Sequence, residues 1–117
     1  MKVLKPNEIP AQDVRTPLFT GGAVTRQTLL TPEMSQDFNL GIVNFSEGAR
    51  NKMHTHTSDQ VLFVTAGKGI IATETTQEVI TVGDVVHIPG RFFYFKDFSS
   101  FAQFIFTGVA LISLFPK

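Results

Sequence analysis

The chain has 117 residues, with ten Lys and Arg against ten Asp and Glu, three His and no Cys. That length provides for a single core and a single domain. Zero formal charge with no basic stripe excludes a nucleic-acid binder, and the missing cysteines exclude a disulfide frame, a thiolate zinc site and a cysteine nucleophile.

The first 18 residues carry Pro6, Pro10 and Pro17 and read as an extended arm rather than an element with a core face. The start, Met1 to Glu8, lacks the apolar centre of a signal peptide. Phe19-Thr20-Gly21-Gly22 makes a turn, and Ala23 to Leu30 is rich in β-branched residues, so it is expected to be a strand ended by Thr31-Pro32. Phe38 to Phe45 reads as a second strand, with Phe38, Leu40 and Ile42 on one face. Further strands are expected over Gln60 to Ala66 and Lys68 to Thr75, on either side of Gly67. Glu78 to Val82 and Val85 to Ile88 follow, joined by a turn at Gly83-Asp84, and then Phe92 to Asp97 and Ala102 to Leu111. Many short strands punctuated by Gly and Pro, with almost no helix signal, predict an all-β sandwich or small barrel over residues 19–117.

Phe is the dominant aromatic, twelve against one Tyr and no Trp, and eight of the twelve follow residue 90. Core filling and a subunit interface account for them more simply than an aromatic ligand pocket. The most apolar stretch, Phe101 to Phe115, is interrupted by Gln103, Thr107, Gly108 and Ser113 and is too short to span a membrane. A cytoplasmic location with no membrane partner is expected. The arm has few evident partners inside a small barrel, and a homodimer is expected, with the arm or a sheet edge pairing across a two-fold axis.

The segment from Gly48 to Gly67 carries the chemistry. Residues two apart on a strand share a face, so His54 and His56 would project two imidazoles from one side, roughly 6–7 Å apart along the backbone. Thr57-Ser58-Asp59 reads as a turn, after which Gln60 opens the apolar run Val61-Leu62-Phe63-Val64. Two imidazoles and an amide oxygen can converge on one divalent transition ion.

Gly48, five residues, His54-x-His56, three residues, Gln60, six residues and Gly67 resemble the first motif of the cupin family, with Gln where most members carry Glu. Gly83-Asp84-Val85-Val86-His87-Ile88-Pro89-Gly90 resembles the first half of the second motif. The resemblance implies a double-stranded β-helix, that is, a jelly-roll barrel. Gln60, with Phe19-Thr20-Gly21 near the start, is similar to the single-domain bacterial cupins of the manganese-dependent cyanohydrin (mandelonitrile) lyase type. That likeness implies a divalent metal, Mn, Fe, Ni or Zn, held by His54, His56, Gln60 and a fourth residue. The family's fourth ligand is a histidine five residues after the proline, and here that position is Tyr94. Tyr94 is either a phenolate ligand or a ring filling the space of the missing imidazole.

Those lyase-type cupins tend to carry a histidine two residues beyond the last ligand, where this chain has Lys96, and a histidine general base on the final strand, whose nearest counterpart here is Gln103, which cannot accept a proton. Cyanohydrin cleavage is therefore not expected. His87 alternates with Val86 and Ile88, positions that the cupin resemblance implies point inward, and so should face outward. Two functions are compatible with these residues. One is a metal-dependent enzyme acting on a small organic molecule. The other is a non-catalytic cupin that binds a small ligand or regulates through one.

Overall fold

The computed structural model describes residues 1–35, 39–52, 59–73, 75–90, 95–97 and 102–108, with the side chains of the last two segments left aside. Ten strands follow a short 3-10 turn at Pro6–Glu8: β1 Gln12–Asp13, β2 Phe19–Thr20, β3 Val24–Leu30, β4 Asn39–Phe45, β5 Arg50–Asn51, β6 Gln60–Ala72, β7 Gln77–Thr81, β8 Val85–Ile88, β9 Phe95–Asp97 and β10 Ala102–Gly108. All pairings among the described residues are antiparallel.

The thirteen-residue β6 is shared by two sheet halves. Its first half pairs with β8 and β10, continuing through β4 and β3 to β1. Its second half pairs with β7 on one side and with β9 on the other, continuing through β5 to β2. The two strands expected on either side of Gly67 are thus one strand. Gly67 has φ +78°, a left-handed conformation that costs a residue with a Cβ, and it lies where β6 passes from one half to the other. Just before it the β6–β10 register skips Thr65, a bulge that sharpens the bend.

The core lies between the halves. Val24, Val43, Phe45, Leu62, Val64, Ile80, Ile88 and Ala49 form one buried cluster. Phe19 of β2 meets Phe45 of β4 edge to face, with ring centroids 5.8 Å apart and planes at 68°, which ties one half to the other. On β4 the core face is Val43 and Phe45, the parity opposite to the one containing Leu40 and Ile42.

Ile42 is nevertheless buried. Gln27, directly opposite Ile42, donates from Nε2 to the carbonyls of Pro6 at 2.6 Å and Ile9 at 2.7 Å. The 3-10 turn is thereby held over the outer face of β3. β1 adds an edge strand, pairing Gln12 with Arg26 and Asp13 with Thr25. The expectation that residues 1–18 find few partners within their own barrel is corrected: a side-chain amide and a ladder edge hold them. The predicted strand over 68–75 ends earlier, at Ala72, where Thr73 turns the chain through bonds to Thr76.

Candidate functional site

Gln60 is the first residue of β6 and pairs with Ile88 of β8 and Gly108 of β10. Along β6, Gln60, Leu62 and Val64 are buried while Phe63 is exposed, so the even positions point inward. Gln60 is only 4% exposed, and it places a carboxamide at the end of an otherwise apolar inward row. No buried side-chain polar atom among the described residues lacks a hydrogen-bond partner, so this amide is accommodated within the fold.

His54, His56 and Tyr94, the other residues of the predicted ligand set, lie outside the described residues. Among the described residues, no group of three His, Cys, Asp or Glu side chains is placed to hold a metal ion. Lys96 pairs with Ile71, and Gln103 is opposite both Asn44 and Ala66.

Two further polar side chains belong to the inner surface and were not singled out by spacing. Asn51 of β5 is 1% exposed, three residues before His54, whereas Arg50 and Lys52 on either side are exposed. Arg26 of β3 shares a face with Val24 and is opposite Val43, both core residues, so it projects toward the interior side of its sheet. Burial alone lowers its guanidinium from the ordinary value, because the charged form loses hydration. A guanidinium titrates so far above neutrality that Arg26 stays cationic.

His87 faces outward, as its alternation with the inward Val86 and Ile88 implies. Its Nε2 lies 2.9 Å from Oδ2 of Asp59, whose Oδ1 accepts a hydrogen bond from the Gly90 N–H at 2.9 Å. The Asp59 carboxyl is held below its ordinary value, first by the bond from His87 and then by the Gly90 amide. A separate cleft of about 520 Å³ opens between Asp13–Phe19 and Gly22–Val24, against the arm and away from Gln60.

No family model matches the sequence. No curated protein matches it either. Solved structures do. A cupin-like protein of Thermotoga maritima superposes over 85% of this chain and 77% of its own with TM-score 0.77 and 26% identity. The polyketide cyclase RemF of Streptomyces resistomycificus covers 100% of this chain and 87% of its own with TM-score 0.85 and 17% identity. A predicted oxalate decarboxylase, also of Thermotoga maritima, covers 92% and 98% with TM-score 0.81 and 16% identity. Neighbours of this fold thus include enzymes. Among the described residues no helix is long and apolar enough to cross a membrane. The two sheet halves hinged on β6, together with these neighbours, support the cupin superfamily: the chain folds as an all-β cupin barrel.

Proposed function

We propose that the barrel binds one divalent transition metal through His54, His56 and Gln60 and acts on a small organic molecule at that ion. The observation that carries the reading is the buried Gln60 amide, at 4% exposure on the inward row of β6. A neutral carboxamide oxygen and two neutral imidazoles form a donor set suited to Mn, Fe, Ni or Zn. When bound, such an ion supplies Lewis acidity, with positions left open for substrate. The chain's own contribution is to orient those donors and to exclude water with the apolar residues behind Gln60.

Tyr94 is either a phenolate donor or a filler of the fourth position. The finer likeness to cyanohydrin lyases supplies the arrangement of donors rather than the reaction. A phenol at 94 and an amide at 103 replace the imidazoles that reaction uses, so mandelonitrile cleavage is not expected. The same two replacements favour a second reading, a cupin that binds a small ligand without turning it over. We also propose a homodimer located in the cytoplasm.

Gln60→Leu tests the proposal, because it keeps the side chain's bulk and removes the donor. Metal analysis of the purified variant should show the ion lost or held more weakly, with the far-ultraviolet circular dichroism of the barrel unchanged. A folded Gln60→Leu protein with undiminished metal affinity would contradict it.

A further inference from the structure

Gln60, the first residue of β6, forms the terminal rung of the β6–β8 ladder, opposite Ile88. Asp59 precedes it and is exposed, yet its carboxylate is engaged at both oxygens. One accepts from the Gly90 N–H and the other lies 2.9 Å from His87 Nε2. His87 and Gly90 stand on either side of Ile88, the partner of Gln60. Pro89 has no N–H, so Gly90 supplies the first backbone donor after Ile88. A single carboxylate therefore extends the ladder beyond its final rung and grips the opposing strand on both flanks of the residue facing Gln60.

We infer that Asp59, through His87 and Gly90, is a positioning residue that fixes the Gln60 amide as a metal donor. The inference rests on the function proposed above. A donor that must be ordered when the ion arrives binds it less tightly than one already in place, and the clamp secures the end of the ladder that carries Gln60. The clamp lies outside the barrel, so it orders Gln60 without adding a charge to the interior. Charge pairs at exposed sites contribute little to stability, which leaves the orientation of the neighbouring donor as the larger consequence of this one. Groups that orient ligands in this way change metal affinity by about 10–100-fold when removed.

Cobalt(II) is the probe, because its visible absorption reports the geometry of its donors as well as occupancy. Asp59→Ala and His87→Ala should each weaken Co(II) binding about 10-fold, at the low end of that range, and alter the visible spectrum. His87→Gln retains an N–H donor and should restore affinity and spectrum toward those of the natural protein. Asp84→Ala is the comparison, since Asp84 accepts from the Thr81 N–H at 2.8 Å in the turn at the far end of β8. It should lower stability and leave Co(II) binding unchanged. Unaltered affinity and spectrum in both Asp59→Ala and His87→Ala would overturn the inference while leaving the metal site standing. Natural protein that binds no Co(II) would overturn the metal site and this role together.

Discussion

Gly21 and Gly48 meet back to back: a side chain at Gly21 would run into the carbonyl oxygen of Gly48, and one at Gly48 would come within 3.0 Å of the carbonyl oxygen of Gly21. Both residues have positive φ, at +78° and +81°. Ser46 fastens the same junction, its Oγ accepting from the Ala23 N–H at 2.7 Å and its N–H donating to the Ala23 carbonyl at 2.9 Å. The motif glycine at 48 is thus a packing requirement at the entrance to β5, the strand that leads toward His54.

Alanine at Gly21 or Gly48 should therefore cost more than the backbone term. The left-handed conformation alone costs about 1–2 kcal/mol for a residue with a Cβ. Gly83, with φ +93° and nothing within 4 Å of an added Cβ, isolates that term. Denaturant titration should rank Gly21→Ala as clearly more destabilising than Gly83→Ala. Equal losses would mean that the Gly21–Gly48 contact carries no energetic weight.

The arm's attachment rests on Gln27. Removing its amide with Gln27→Ala deletes two hydrogen bonds to Pro6 and Ile9, each contributing about 0.5–1.5 kcal/mol. Limited proteolysis should cut within residues 1–11 faster in the variant, with the barrel left intact. An unchanged cleavage rate would show that β1 alone holds the arm.

Acid should weaken the Asp59 clamp. Its carboxyl is held below the ordinary value in the folded chain, so its contribution to stability is complete above the unfolded value, about 3.9, and is lost as pH falls through the folded one. The small difference in urea midpoint between the natural protein and Asp59→Asn should hold above about pH 4 and shrink below it. A difference independent of pH across that window would contradict this assignment.

Much of the barrel is legible in residue order because strand alternation and glycine punctuation are local properties. Gly48, Gly67 and Gly83, each read as a motif or turn position, all have positive φ. The inward Gln60 and the outward His87 follow from strand alternation once the family resemblance says which positions point inward. β1, β2 and β5 are not legible, since two residues carry no period and tertiary contacts create them. Arg50-Asn51-Lys52 alternates polar with polar, so nothing in its order distinguishes the buried Asn51 from its exposed neighbours. The Asp59–His87 pair spans 28 residues, and only the β6–β8 register brings its members together.

The metal content of the protein, measured by mass spectrometry on material purified without added metal, tests the central claim most directly. The natural chain should carry a divalent transition ion, and His54→Ala/His56→Ala should carry none while its circular dichroism still reports a folded barrel. Stoichiometric metal in that double variant would contradict the account, and so would a natural chain devoid of metal that takes up none of Mn, Fe, Ni or Zn on addition.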